Sequence, residues 1–360
     1  MKFRNEQIGW VGIDIGSACV KVAQLARHGD QFRVHAQAIV PRSTRSDLAG
    51  LPESEVALAS VAGEIRAGCT LNESFQGRQA AATVPMNICD IHHLDAIEGS
   101  HSDLNSLVRK TIESITQASA EHLQFDIWPA ELDARSKQPA RWNVLAVAQP
   151  WSDQLYRDVT HNGFACKLLD STPHALARAV ELAEPGSVST PQAVLDWGHC
   201  QATFAIVLDH RPVYVRSLKD CGLQRTIAAI SESLDLVDEE SLVLLQTHGL
   251  SASNKNDRDE VSEMIFELVT AEVLHLAQEV ERTLKYLGSQ RRALLPRKFH
   301  LFGGGAQIPG IDHYLTDRLQ VEAKVWRLCE EPVTDTSTQQ VAQCLLGPAL
   351  SLSALAWGER

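Results

Sequence analysis

The chain has 360 residues, more than one ordinary hydrophobic core accommodates, so we expect two lobes or several subdomains. Acidic residues outnumber basic ones by 45 to 33, and no run of Lys and Arg provides a track for a nucleic-acid backbone. The first residues lack the apolar core of a secretory signal, and the longest apolar stretch, 345–357, is too short to span a membrane. We therefore expect a cytoplasmic protein that binds no nucleic acid and reaches a membrane only through a partner.

The chain opens with a pattern typical of three antiparallel strands. Apolar, β-prone residues predict strands over 9–15, 20–25 and 31–40, with a hairpin turn at Gly29 and Asp30. Helical spacing of Val56, Leu58, Val61 and Ile65 predicts a helix over 53–67, and residues 79–85 return as a buried strand. These elements make up a first βββαβ unit.

The pattern from 86 to 164 is more mixed and predicts a small inserted subdomain. Strands are expected at 88–94, near 125 and at 142–148, and helices at 103–118 and 151–162. A short strand at 166–169 and a helix at 173–182 then lead into a Pro-, Gly- and Ser-rich linker at 183–191. We place the boundary between the two lobes at this linker.

The opening pattern recurs directly after the linker. Strands are predicted at 193–197, 202–208 and 212–217, and the first of them again ends in Asp-x-Gly. The sequence therefore predicts an α/β protein of two lobes built on duplicated βββαβ units that face each other across a cleft. The first lobe takes 1–85 and 165–190 with a C-terminal helix, 338–360, returning to it; 86–164 is inserted, and 191–337 form the second lobe.

The two Asp-x-Gly turns are candidate phosphate-binding elements. A carboxylate at a strand end can hold Mg²⁺, usually through water, and a following glycine lets a phosphate approach the backbone N–H groups. A single such turn is more often an ordinary turn, but two at equivalent places in a repeat favour a shared site. The residues concerned are Asp14, Gly16, Ser17 and Lys21 in the first turn, and Asp196, Gly198 and Thr203 in the second.

A triple glycine follows the predicted strand that ends at Phe302. Three consecutive glycines, Gly303, Gly304 and Gly305, are costly to order, so close approach of the backbone to a ligand explains them better than a flexible loop does. A flat base or an α-phosphate is the ligand that we expect there.

The order of these three motifs, ending in Gly-Gly-Gly-Ala-x-x-Pro-Gly, resembles the actin-like ATPases and, among them, the PilM branch of type IV pilus assembly proteins, relatives of FtsA. Softer similarities lie at 213–226, 279–286 and 346–350. The resemblance implies the actin-like ATPase fold and an ATP site with Mg²⁺ held by Asp14 and Asp196. It also implies an adenosine strip at the triple glycine, with Gly222 in the site and Arg282 beside the base.

The sequence departs from the family at positions that grip ribose and support hydrolysis. Val243 and Gln246 stand where a Glu and a Lys are usual, and Thr172 stands where an acidic group often orients the attacking water. We therefore expect weak or purely structural nucleotide binding with little hydrolysis.

Two functions fit these observations. The resemblance implies a cytoplasmic scaffold that binds ATP and docks the cytoplasmic tail of an inner-membrane pilus or secretion assembly protein, in a groove between about 79 and 170. The alternative is a small-molecule kinase or ATPase on the same fold, which needs a carboxylate base for its acceptor. A type II secretion relative is a third interpretation, with the membrane part supplied by a separate protein. The sequence leaves a homo-oligomer open.

Overall fold

A computed structural model describes residues 6–42, 60–72, 74–94, 101–116, 122–130, 141–186, 189–250, 260–328 and 343–358. The first of its sheets has the order β1-β3-β2-β5-β9, with β4 paired to β3. Every residue of β2 is buried, as expected for a central strand covered on both faces. The strands of this sheet are β1 (Gln7–Ile8), β2 (Val11–Ile15), β3 (Cys19–His28), β4 (Gln31–Pro41), β5 (Gln79–Val84) and β9 (Ala165–Ser171).

The second sheet repeats the arrangement of the first. Its order is β12-β11-β10-β13-β14, in which three antiparallel strands are followed by two parallel ones, as β4, β3 and β2 are followed by β5 and β9. The duplicated unit expected from the sequence is therefore present. Its strands are β10 (Gln192–Trp197), β11 (Ala202–Leu208), β12 (Arg211–Leu218), β13 (Lys298–Phe302) and β14 (Glu322–Val325).

A third, three-stranded sheet has the order β6-β8-β7 and lies between β5 and β9 in the chain. It consists of β6 (Cys89–Leu94), β7 (Leu123–Pro129) and β8 (Trp142–Ala148), and helix α2 (His101–Thr116) follows β6. Because β8 is hydrogen-bonded on both sides, it cannot offer a free edge to a peptide. The sequence also suggested the strands at 88–94 and 142–148 as edges for an extended peptide, and for 142–148 this expectation is wrong.

The helices cover the faces of the sheets. The helix expected at 53–67 begins later, at Ala62, and ends at Leu71; residues 53–59 lie outside the described ranges, as do 117 and 118 of the helix expected at 103–118. The remaining described helices are α1 (Ala62–Leu71), α3 (Gln149–His161), α4 (Thr172–Ala183), α5 (Leu223–Leu234), α6 (Asp238–His248), α7 (Glu260–Gln290), α8 (Ile311–Leu319) and α9 (Gln343–Ala354). None of the described helices is long and apolar enough to cross a bilayer.

Helix α9 packs against the first sheet. A Cβ atom on Gly12 of β2 would lie 1.8 Å from the carbonyl oxygen of Ala349, so helix and strand approach to backbone contact. Ser353 accepts a hydrogen bond from the Leu25 N–H through its hydroxyl oxygen at 2.8 Å. We propose the same lobe limits that the sequence suggested, with this helix assigned to the first lobe.

Candidate functional site

A cavity of about 380 Å³ lies between the first and second sheets and is lined from both. This volume is in the range of small-molecule and cofactor sites. The turn after β2, the turn after β10 and the start of the triple glycine after β13 all reach it. The candidate residues that line it are Asp14, Gly16, Ser17, Lys21, Asp196, Gly198, Thr203, Gly303 and Gly304.

Asp14 is fixed at the end of β2 by two neighbours. The Lys21 ammonium lies 2.8 Å from Asp14 Oδ2, and the Thr83 hydroxyl of β5 donates to Oδ1 at 2.8 Å. Thr83 Oγ1 in turn accepts from the Ile15 N–H at 3.0 Å. Because Asp14 and Lys21 are partners in the antiparallel pairing of β2 and β3, both side chains leave the same face of the sheet.

Asp196 occupies the equivalent place at the end of β10. Burial raises the pKa of its carboxyl to about 6. The nearby Asp14 carboxylate also raises this pKa, whereas the Lys21 ammonium lowers it. Burial by itself would lower the pKa of Lys21, but Asp14, Cys19 and Asp196 together hold it above its usual range. The ammonium of Lys21 therefore interacts with carboxylates from both lobes.

The glycines at the cavity are required by close contacts. A Cβ atom on Gly16 would lie 2.8 Å from Lys21 Nζ, and one on Gly198 would lie 2.9 Å from the carbonyl oxygen of Gln201. Gly303 has φ +82°, and its Cβ would lie 2.5 Å from Asp196 Oδ1. A side chain at Gly303 would thus displace the carboxylate that the second turn presents.

Three predicted site residues do not line the cavity. A Cβ atom on Gly222 would lie 2.3 Å from the Cys200 carbonyl oxygen, so this glycine lets α5 begin against the second turn. Gly305 packs on the indole of Trp197, where a Cβ would be 2.2 Å from the ring. Arg282 is on the exposed side of α7 and is paired with Glu279. The structure thus places these three residues outside the cavity wall, and their contacts with a nucleotide stay predictions.

Sequence reasoning missed several residues of the cavity wall. Asp238 and Glu239, in the first turn of α6, line it together with Gln246 and Gln307. Acidic residues in a first helical turn usually complement the helix dipole, so nothing in the sequence marked this pair. Their position depends on how α6 packs against α5 and α7. Other unpredicted wall residues are Met86, Asn87, His199, Cys200, Gln201, Leu223, Ile227 and Leu242.

Of the three positions that depart from the family pattern, two line the cavity and one does not. Gln246 lines the cavity and donates to Gln307 Oε1 at 3.3 Å, whereas Val243 is 60% exposed on α6 and does not line it. Thr172 lines the cavity as well. The neighbouring carboxylate, Asp170, is engaged in an ion pair with Arg178.

The charges around the cavity favour a metal-bound polyanion. Among the described lining residues, Asp14, Asp196, Asp238 and Glu239 supply four carboxylates against the single ammonium of Lys21. A free triphosphate would be repelled by this surface, whereas Mg²⁺ binds oxygen ligands and neutralises phosphate charge. The lining set and the glycine cradles therefore fit Mg²⁺ with a nucleotide, in which the metal would offset charge between carboxylate and phosphate.

Two βββαβ units of the same topology, with a nucleotide-sized cleft between their Asp-x-Gly turns, define the fold of the actin-like ATPases. Within that class, the sequence matches the family described as "Type IV pilus assembly protein PilM" over residues 12–356. The chain belongs to this family.

Solved structures of the same fold agree with this assignment. The chain is similar to a "PilM-PilN type IV pilus biogenesis complex" with a TM-score of 0.77 and 20% identity, covering 98% of this chain and 99% of that one. It is also similar to the ethanolamine utilization protein EutJ from Carboxydothermus hydrogenoformans, with a TM-score of 0.54, 15% identity and coverage of 96% and 89%.

Proposed function

We propose that the protein is a cytoplasmic nucleotide-binding scaffold of a type IV pilus or related secretion assembly machine. It binds Mg²⁺ and ATP between its lobes and docks the cytoplasmic tail of an inner-membrane assembly protein, which holds it at the membrane. The observation that carries the nucleotide part is the meeting of Asp14, Lys21 and Asp196 from opposite lobes in one cavity.

Asp14 and Asp196 would hold the metal, through water, and Gly16, Ser17, Gly198 and Thr203 would receive the phosphates. Lys21 would offset phosphate charge, as ammonium groups do in other phosphate sites. Gly303 and Gly304 would support the adenosine, with Gln246 and Gln307 available to the ribose. The nucleotide would act mainly by holding the two lobes together.

The partner part rests on the family and on the similar solved complex, which pairs PilM with PilN. We place the tail in the groove between about 79 and 170, near the inserted sheet. There β9 is the terminal strand of its sheet in the described order, and Leu168 on it is 39% exposed. An extended peptide can add hydrogen bonds along such an edge and place alternate side chains in pockets.

A pull-down from membranes with and without Mg²⁺·ATP tests the proposal. We expect one inner-membrane assembly protein, whose synthetic tail peptide then binds in calorimetric titration. Leu168→Glu should weaken binding of the peptide, because it introduces charge at the edge of the sheet. Leu71→Glu, on α1 and 71% exposed, should leave the affinity for the peptide unchanged. Recovery of soluble metabolic enzymes alone would instead favour the kinase hypothesis.

The kinase hypothesis has less support. It requires a carboxylate free to accept a proton from an acceptor hydroxyl. Asp14 is paired with Lys21, and Asp170 with Arg178, so neither is free for this role. Asp196, Asp238 and Glu239 also line the cavity, and the scaffold is favoured over a kinase by the family match and the similar PilM-PilN complex. We therefore keep the scaffold as the proposed function.

A further inference from the structure

One row of side chains on the inserted sheet faces the second lobe. His93 of β6, Asn143 of β8 and Trp128 of β7 are direct cross-strand neighbours, since Asn143 pairs with His93 on one side and with Trp128 on the other. Residues opposite each other in antiparallel strands project to the same face of the sheet. The three side chains therefore form a continuous row, which we name the latch row.

Trp128 and Asn143 of the latch row donate hydrogen bonds to the backbone of β12, and the His93 ring lies against the same strand. Trp128 Nε1 donates to the Pro212 carbonyl oxygen at 2.6 Å, and Asn143 Nδ2 donates to the carbonyls of Pro212 and Val213 at 3.2 and 3.3 Å. His93 Nε2 lies 3.1 Å from the Val215 carbonyl oxygen. In the described second sheet, β12 is the terminal strand and pairs with β11 on one side only. The contacts from the inserted sheet therefore use carbonyl groups on the side of β12 that has no partner strand.

Two members of the latch row, Asn143 and Trp128, are buried, whereas His93 is exposed. Asn143 is fully buried, and its Oδ1 atom lies 2.8 Å from His93 Nδ1. The His93 ring stacks on Tyr214 of β12 with centroids 5.5 Å apart and an angle of 4° between the rings. A buried polar group that loses its hydrogen-bond partner destabilises the protein by its full desolvation free energy. A shift of the two sheets would leave such groups unpaired, so the contact favours one relative position of the sheets.

The inserted sheet links the two lobes, because it is connected to one through the chain and to the other through hydrogen bonds. The inserted sheet is joined covalently to the first lobe, through β5 before it and β9 after it, but the latch row holds it to the second lobe. Any rotation of one lobe against the other must either move the inserted sheet with it or break these hydrogen bonds. Rigid-body closure of two lobes around a ligand is a common source of such motion.

From β12 the hydrogen-bonded path to the cleft is short. Ser217 of β12 pairs with Thr203 of β11, which lines the cleft, and Thr203 pairs with Asp196 of β10. We propose that His93, Asn143 and Trp128 are positioning residues that couple the nucleotide cleft to the inserted subdomain, so that lobe closure sets the angle of the docking groove. The nucleotide side of this coupling rests on the proposed function; the mechanical connection between the sheets does not.

Hydrogen exchange on the full chain tests the coupling with two conservative variants. Trp128→Phe keeps an aromatic side chain but removes the N–H donor and part of the indole volume, and His93→Phe keeps the stack on Tyr214. The matched control is Trp326→Phe, which removes an equivalent buried hydrogen bond of 2.8 Å to the Ala179 carbonyl of α4, away from the latch row. Without ligand, both latch variants should exchange about five-fold faster in β12 and in β11, and the control should not.

The second arm adds Mg²⁺ and a non-hydrolysable ATP analogue. In the parent, protection should rise at 14–21 and 196–203 and also in the inserted sheet, at 89–94 and 142–148. In the latch variants the cleft should still be protected, while the response of the inserted sheet is lost. Unchanged exchange of β11 and β12 in the first arm, or a distant response that persists in both variants, overturns the coupling.

If the parent shows no protection of the cleft, the proposed nucleotide function fails by that result. The ligand-free arm then decides the connection between the sheets, because it needs no nucleotide.

Discussion

The Lys21 ammonium lies 2.8 Å from Asp14 Oδ2, within the first lobe, and also interacts electrostatically with Asp196 of the second. One ammonium thus balances carboxylates that two halves of a duplicated fold bring to the same cavity. Since this ammonium cannot offset the charge of both carboxylates and a triphosphate, we expect ATP binding to require Mg²⁺.

Asp14→Ala and Asp196→Ala should each weaken Mg²⁺-dependent ATP binding by at least about ten- to hundred-fold, since each removes a metal-holding carboxylate. Calorimetric titration with and without EDTA measures the effect, and circular dichroism confirms that the variants are folded. Asp153→Ala, an exposed position on α3, serves as the control. Parent-like affinity in both cleft variants would refute the assignment of the site.

The free energy of unfolding of the ligand-free protein should depend on pH because the pKa of Asp196 is raised. Its folded-state pKa of about 6 exceeds its ordinary value, so the folded protein holds the proton more tightly than the unfolded chain does. The stability that this proton provides is present below about pH 4 and is lost as pH rises through about 6.

Asp196→Asn removes this dependence. Relative to the parent, the variant should therefore gain stability as pH rises from about 4 to about 7, by about 1–3 kcal/mol, because a pKa difference of one between the folded and unfolded states corresponds to about 1.4 kcal/mol. Thermal midpoints measured across this range without Mg²⁺ give the difference. Parallel profiles for parent and variant would mean that Asp196 titrates normally.

Steady ATP turnover by the isolated protein should be slow or undetectable. Thr172 lines the cleft where an acidic group would orient water, and Asp170 is engaged with Arg178. Phosphate release in single-turnover and steady-state assays measures this, with Asp14→Ala defining the background. Robust turnover without an added partner would contradict the prediction.

Gly305→Ala should destabilise the second lobe by about 1–3 kcal/mol, because its Cβ would meet the Trp197 indole at 2.2 Å. Gly63→Ala is the matched control: this glycine lies in α1 with no atom within 4 Å of the added Cβ, so the change should stabilise by up to about 1 kcal/mol. Thermal unfolding of both variants checks the contrast. Equal effects would show that Gly305 does not pack as described.

Binding of the partner tail should weaken as salt concentration rises. The chain carries a formal net charge of −12, so it favours a basic tail, and the attraction between exposed charges is screened within about 10 Å at about 0.1 M salt. Titrations of the tail peptide at about 50 and about 500 mM salt, on either side of that concentration, measure the dependence. A salt-independent affinity would point to an apolar groove instead.

The sequence by itself determined the duplicated strand units and the two Asp-x-Gly turns. These features are local: alternating apolar residues specify a strand, and Asp14 and Asp196 follow their strands within the same short motif. The two turns could therefore be predicted to meet, because the repeat places them at equivalent edges of two facing sheets. The helix expected over 53–67 differs in its bounds, because residues 60 and 61 are not helical and the described helix runs over Ala62–Leu71; apolar spacing fixes helix ends poorly.

Only the tertiary structure decided the rest of the cavity and the role of each glycine. Asp238 and Glu239 reach the cleft because of the way α6 packs against α5 and α7, and Gly305 lies against Trp197, outside the cavity wall. The contact of Asn143 with Pro212 likewise joins residues 69 positions apart on different sheets. Such contacts depend on how whole elements pack, and no local pattern of residues encodes that packing.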